Sequence, residues 1–309
     1  MSIAAILRRP GPSGFGYGST AEEVTAGLDL GGRTYLVTGA NRGLGLETLR
    51  VLGLRGAHVL AAARTEDTAR GALAVTGALG TPLACDLSEP RSVRECVGHV
   101  AALLDATQTP LDGIVANAGV MAPREPVRKH GYELHVLANH VGHFMLVTGL
   151  LDALGEEGRV VVVSSNAHFR APRAGIEFDN LDVRRGYGPY LAYAHSKLAN
   201  VLFAAALARR MPLPRQTANS LHPGVIRTGI QRDVGLPSRI ALALARPVFL
   251  KSIPQGAATQ CWAVAHPGAS GLSGRYLADC NPSTPSALAR DHALQERLWE
   301  ETGRIVERL

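Results

Sequence analysis

Cysteine is scarce in this chain. Cys85, Cys96, Cys261 and Cys280 are the only ones among 309 residues, and no two share a Cys-x-x-Cys spacing. That argues against a zinc or disulfide-exchange centre and predicts four free thiols in a reducing compartment, so we expect a cytoplasmic protein. Lysine is scarcer still, at Lys129, Lys197 and Lys251, so the net charge of +6 rests on arginines scattered singly along the chain. A nucleic-acid binder would cluster its basic residues, and no nucleic-acid partner is expected. Long apolar runs are missing too. The stretch around Ile240 to Leu250 is interrupted by Arg246 and is too short to span a bilayer, so no integral membrane segment is expected. The apolar start, Ser2 to Leu7, is too short for a signal peptide and carries Arg8 and Arg9 on the wrong side. His130, His135, His140 and His143 crowd one stretch but do not form an i, i+4 zinc pair with a third acidic ligand, so no metal is expected.

What is present is glycine at particular places. Thr34 to Thr38 is a short apolar run; it enters a turn with glycines at 39, 43 and 45, and a helical pattern leaves through Leu46, Leu49 and Leu52. Backbone amides must come close to a pyrophosphate at a helix N-terminus, and side chains would block that approach. Gly39, Asn41, Arg42, Gly43 and Leu44 are the candidate phosphate-loop residues, although a plain strand-to-helix turn would also use glycine. A second signal lies about 150 residues on, in Tyr193-Ala194-His195-Ser196-Lys197. Residues four apart share a helix face. An ammonium beside a phenol stabilises the phenolate and lowers the tyrosine pKa, which makes a proton donor. The spacing alone is common; its combination with the glycine turn is specific.

Strands are predicted at 33–38, 58–63, 81–85, 112–116, 159–164, 217–221 and 274–277. Helices are predicted at about 44–55, 89–105, 129–153, 190–211, 239–251, 255–266 and 286–308. The alternation predicts an α/β fold with a single doubly wound, seven-stranded parallel sheet and helices on both faces. Residues 1–29 read as an N-terminal arm, with Arg9 to Gly18 mobile, followed by a short helix capped by Ser19 to Glu22. Residues 30–309 read as one catalytic domain with a substrate cap from about 229 to 254. Thr38, Arg64, Asp86, Asn117, Ser165 and Pro223 all fall at the carboxyl ends of predicted strands, where ligands bind in such sheets.

The cofactor choice follows from the second strand. It ends Ala61-Ala62-Ala63-Arg64, without the carboxylate that usually binds an NAD ribose. A guanidinium suits a 2′-phosphate, so Arg64 and Arg42 predict NADP(H) over NAD(H).

These residues together resemble the short-chain dehydrogenase/reductase family, over roughly residues 30 to 280. The matching positions are Thr38-Gly39, Gly43, Gly45, Asn117-Ala118-Gly119, Asn139, Ser165, Tyr193, Lys197, and His222-Pro223-Gly224 with Thr228. Asn139 to Phe144, Ser164 to His168 and Ala194 to Asn200 look like its retinol-dehydrogenase-like branch. The resemblance implies interconversion of a carbonyl and an alcohol by hydride transfer from a nicotinamide cofactor. It implies Tyr193 as the acid, Lys197 as its modulator and ribose ligand, Ser165 as the oxygen holder, and Asn139 as the anchor of a proton relay. Asp86 and Leu87 would contact adenine, Asn117, Ala118 and Gly119 would line the cofactor cleft, and Pro223, Gly224, Val225 and Thr228 would close over the nicotinamide. Ser164 is the rival serine and Tyr190 the rival tyrosine. His168 is expected to face the small-molecule carbonyl or alcohol substrate. The apolar segment from 229 to 254 predicts a cap over a lipophilic substrate, with ordinary core packing, a homodimer contact or a membrane-surface contact as the competing readings. Two other functions stay open: a cofactor-sensing or scaffold protein on the same fold, and an epimerase or dehydratase relative.

Overall fold

Aliphatic residues in the strands alternate sides, and each side finds its own core. The computed structural model describes residues 9–121, 123–226 and 250–309. Its strands are β1 (Thr34–Thr38), β2 (His58–Ala63), β3 (Gly80–Ala84), β4 (Leu111–Ala116), the small hairpin β5 (Arg128–Lys129) and β6 (Tyr132–Glu133), β7 (Leu154–Val163), β8 (Thr217–His222), β9 (Tyr276–Ala278) and β10 (Asn281–Ser283). The main sheet has eight strands in the order β10-β9-β8-β7-β4-β1-β2-β3. All neighbours are parallel except β9 and β10. Leu36, Leu60, Ile114, Val160 and Val162 face one core, while Tyr35, Val37, Val59, Ala61, Val115 and Val161 face the other. Truncating any such leucine to alanine should cost about 2–5 kcal/mol.

The helices are α1 (Ala21–Val24), α2 (Gly43–Leu54), α3 (Glu66–Thr76), α4 (Pro90–Thr107), α5 (Gly142–Thr148), α6 (Pro189–Ala208), α7 (Ile253–Ala265) and α8 (His292–Arg308). Helix α6 has the length and apolarity of a membrane span, but 72% of its apolar window is buried against the sheet and neighbouring helices. Its apolar character is explained by the protein interior.

Five expectations change. The sheet gains an antiparallel edge, β10, whose Asn-Pro-Ser sequence carries no apolar pattern. Helix α3 was absent from the sequence reading because alanine and threonine dominate it, yet Thr65 caps its start and Gly77 ends it in the left-handed conformation. The helix expected at 129–153 begins instead as the β5–β6 hairpin, because His130 (φ 51°) and Gly131 (φ 84°) reverse the chain. A π-helical turn at Val136–Val141 follows, and only then α5. The capping box of α1 is formed by Thr20 and Glu23, one residue later than expected. The stretch from Arg9 to Gly18 is tied down rather than a loose arm: Ser13 N–H donates to Asn281 Oδ1 (3.0 Å), Asn281 Nδ2 donates to Phe15 O (3.0 Å), and Phe15 meets the His266 ring edge-on. Thr228, the helix expected at 239–251 and most of the cap expected at 229–254 lie outside the described residues.

Candidate active site

The sheet order places β1 beside β4, and the loops that leave these two strands run in opposite directions. This is the switch point where a crevice opens beyond the carboxyl ends. Thr38 closes the floor of that crevice. Its Oγ1 accepts the N–H groups of both Asn117 and Ala118 (3.0 Å each), and Asn117 Nδ2 donates to Thr38 O (2.8 Å). The glycine turn between β1 and α2 then passes close by. A Cβ on Gly45 would lie 2.2 Å from the Gly39 carbonyl oxygen and 2.6 Å from Asn117 Nδ2, so no side chain fits. Gly43 sits at φ +58° with open space where its Cβ would be. Arg42 is the N-cap of α2 and makes no side-chain capping bond, which leaves the first-turn amides available to an anion. These features fit a dinucleotide pyrophosphate.

The arginines fit its extra phosphate. Ala40 N–H donates to Ala62 O (3.2 Å), which holds the start of the loop against the end of β2. Arg64 follows directly, and the Arg42 and Arg64 side chains are exposed, with no ion pair among the described residues. Asp86 Oδ1 is bound by the N–H and hydroxyl of Ser88, so one carboxylate oxygen is occupied by its own turn. Leu87 is buried in the core and a Cβ on Gly142 would touch its carbonyl at 2.2 Å. Asn41 lies in the glycine turn and Leu44 in the first turn of α2, Gly119 follows β4, and Pro223, Gly224 and Val225 follow β8. Gly224 (φ +95°) packs on the buried stem of Lys251.

Tyr193 and Lys197 stand one turn apart on α6, with Nζ 5.7 Å from the ring centroid. Of the two serines, Ser164 donates to Lys197 O (2.7 Å) inside the core, while Ser165 Oγ accepts Ala167 N–H (3.2 Å) and lies near enough to Tyr193 to act on its pKa. Tyr190 is half exposed, with no lysine a turn later. Burial pushes the Tyr193 phenol up to about 12, opposed by Ser165. Lys197 is not among the groups that move the phenol: its Nζ donates to Val163 O (2.9 Å), and burial lowers its own ammonium to about 8.

Asn139 lies in the π-helical turn. Its amide clamps the chain after Gly119: Oδ1 accepts Val120 N–H (2.8 Å) and Nδ2 donates to Val120 O and to Ser196 Oγ (3.0 Å each). Ser196 Oγ in turn donates to Tyr193 O (2.8 Å). The side chain of Asn139 is thus fully engaged in holding the Gly119 loop to the tyrosine's helix.

His168 departs from expectation. It is 1% exposed, its Nδ1–H donates to Ser165 O (2.7 Å), and its Nε2 accepts Ser286 N–H (3.1 Å). No ring nitrogen remains for a substrate. His168 instead fixes the turn that carries Ser165, together with Asn166, whose N–H donates to His222 Nδ1 (3.2 Å) and whose Oδ1 accepts from Tyr276 (3.0 Å). Sequence reasoning gave no site role to His143, Ser196, Tyr276 and Gln260, the last of which reaches under the glycine loop to Leu44 O (3.3 Å). Of these only His143, a polar residue amid Val141, Phe144 and Met145, carried a local signal. Among the described residues no group of three His, Cys, Asp or Glu side chains is arranged to hold a metal.

Known proteins resemble this arrangement. The family described as short chain dehydrogenase matches residues 33–177. "Short-chain dehydrogenase TIC 32 B, chloroplastic" from Brassica napus is 40% identical, covering 98% of both chains. A crystal structure of an uncharacterized protein from Mycobacterium Paratuberculosis superposes with TM-score 0.74 at 29% identity, covering 92% of this chain and 97% of that one. The angucycline C-6 ketoreductase LanV, solved with bound NADP, superposes with TM-score 0.64 at 25% identity, covering 81% of this chain and 95% of that one.

Proposed function

The chain belongs to the short-chain dehydrogenase family, and from that premise we propose that it is an NADP(H)-dependent oxidoreductase interconverting a carbonyl and an alcohol on a lipophilic small molecule. The observation that carries this reading is the Tyr193–Lys197 pair on α6, with the buried Nζ 5.7 Å from the phenol ring centroid, at the carboxyl edge of the sheet where Ser165 follows β7 and the glycine turn follows β1. In this reading residues 30–309 act as one catalytic domain. Gly39 to Leu44 and Asn117 to Gly119 hold the dinucleotide, Arg42 and Arg64 bind its 2′-phosphate, and Pro223 to Val225 cover the nicotinamide. Bound NADPH supplies the hydride that reaches the carbonyl carbon. The preference for NADP(H) is supported by the two unpaired arginines and by the cofactor seen in LanV.

The protein's own residues handle the oxygen. Ser165 donates a hydrogen bond to the carbonyl oxygen and stabilises the charge that develops there. Tyr193 then passes its phenolic proton to that oxygen. The phenolate so formed is stabilised by the Lys197 ammonium and reprotonated through it. Asn139 keeps the Gly119 loop and α6 in register while this happens. A lipophilic substrate is supported by Phe169, Tyr190, Leu191 and Val225, each about half exposed near Ser165, Tyr193 or the loop after β8, and by the retinol-dehydrogenase-like motifs. Four buried, unpaired thiols support a reducing compartment such as the cytoplasm.

The test is an NADPH-oxidation assay over aliphatic ketones and aldehydes of increasing length, on wild type and Tyr193→Phe. We expect kcat/KM to climb with chain length, since each buried methylene is worth at most about 0.8 kcal/mol. We expect the variant to bind NADPH normally and to lose at least about a hundredfold in kcat. A flat or falling length series, or a variant retaining a tenth of the rate, would refute the respective part.

A further inference from the structure

We propose that His143 is a positioning residue that couples the glycine loop to the catalytic asparagine, a proposal that rests on the oxidoreductase reading above. His143 is fully buried inside α5, where a polar ring is costly unless both nitrogens are bonded. Both are. Its Nδ1 lies 3.0 Å from the Asn139 carbonyl oxygen, and its Nε2 lies 2.9 Å from Thr38 Oγ1. A carbonyl can only accept, so Nδ1 carries the proton and Nε2 is the acceptor. The Thr38 hydroxyl already accepts from Asn117 and Ala118, and it therefore gives its own proton to His143. The alternative acceptor, Val115 O, is farther away at 3.4 Å.

Every bond in the resulting chain has one direction. Asn117 and Ala118 donate to Thr38, Thr38 donates to His143, and His143 donates to the backbone of Asn139. The Asn139 amide then donates to Ser196, and Ser196 donates to the backbone of Tyr193. The end of β1, where the glycine loop begins, is thereby linked to the helix that carries Tyr193 and Lys197. Burial and the nearby Lys197 charge hold the imidazole down to about 4. It stays neutral through the working range and acts as a strut with fixed donor and acceptor ends. It is not a proton carrier.

The coupling separates turnover from binding. His143→Phe fills the space without either hydrogen bond, Thr38→Val cuts the same chain at its other end, and His143→Gln keeps one donor and one acceptor. With NADPH and the best carbonyl substrate of the wild type, we expect His143→Phe and Thr38→Val each to lower kcat by about ten- to a hundredfold, the loss that unpaired buried polar groups imply. In His143→Phe, KM for the substrate and Kd for NADPH should stay within about threefold, and His143→Gln should recover most of kcat. Thr38→Val also strips the acceptor from Asn117 and Ala118 N–H, so its kcat is read at saturating NADPH. The double variant should be no worse than the poorer single. If His143→Phe does not fold, kcat of Thr38→Val at saturating NADPH decides. An unchanged kcat in either cut variant, additive losses, or a loss that only tracks the folded fraction would overturn the coupling. A wild type that turns over no carbonyl compound would overturn the functional reading and the coupling together.

Discussion

The turn from Gly39 to Gly45 and the turn from Val136 to Val141 stand on opposite sides of β4, and they are built on opposite terms. In the first, function comes from backbone with side chains stripped away: open space over Gly43 and a first helical turn without a side-chain cap. In the second, a π-helical turn offers no open backbone, and the site around it is made of buried side chains held by hydrogen bonds. Asn139, Ser164, Ser196, Lys197 and His143 are all under 5% exposed. The backbone site should tolerate changes in its neighbours' chemistry but no added volume. The side-chain site should tolerate volume-matched changes but no lost partner.

The sharpest break should come at Gly45. A Cβ there would collide with the Gly39 carbonyl at 2.2 Å, and backbone cannot yield as a flexible side chain can. Gly45→Ala should weaken NADPH binding by about a hundredfold, the overpacking cost of 1–3 kcal/mol falling largely on the loop. Fluorescence titration reads it, and a Kd within threefold of wild type would show that the loop is not shaped by backbone approach. A smaller effect is expected for Arg64→Ala. It should cost about 1.5–3 kcal/mol, ten- to a hundredfold, in NADPH affinity and leave NADH binding unchanged. Equal affinity of the wild type for the two cofactors would refute the phosphate role.

The mildest test uses pH alone. Burial lowers Lys197 from 10.5 to about 8. If the ammonium assists Tyr193, kcat should fall by up to tenfold per unit as pH rises above about 8. Stability moves the other way. Between about pH 8 and 10.5 the unfolded chain binds the Lys197 proton more strongly than the folded one, so this group's contribution makes the folded state more stable as pH rises. Parallel pH series of kcat and of the denaturation midpoint should therefore diverge, and a common trend would rule Lys197 out as their cause.

Much of this was legible beforehand. The strands of the parallel core, the glycine turn and the Tyr193–Lys197 pair follow from local spacing, whereas Ser165 was preferred to Ser164 on the resemblance to the retinol-dehydrogenase-like motif. Helix α3 was lost because its apolar stripe is thin, although its caps at Thr65 and Gly77 were in plain sight. The long helix expected through Asn139 failed at His130, since a left-handed non-glycine residue leaves no periodic mark. His168 was read as a substrate contact from its neighbourhood to Ser165. Its real partners, Ser165 O and Ser286 N, include one 118 residues away.

The sequence by itself determined the alternation of strand and helix, the glycine turn at the carboxyl end of β1 and the placing of Tyr193 and Lys197 on one helix face, because period, glycine placement and helical spacing act over a few residues. Only the tertiary structure decided that Ser164 is spent on the Lys197 carbonyl, that both ring nitrogens of His168 are bonded within the protein, and that His143 joins β1 to Asn139. Those outcomes depend on hydrogen-bond partners brought together across the sheet, where no local pattern encodes the distance between them.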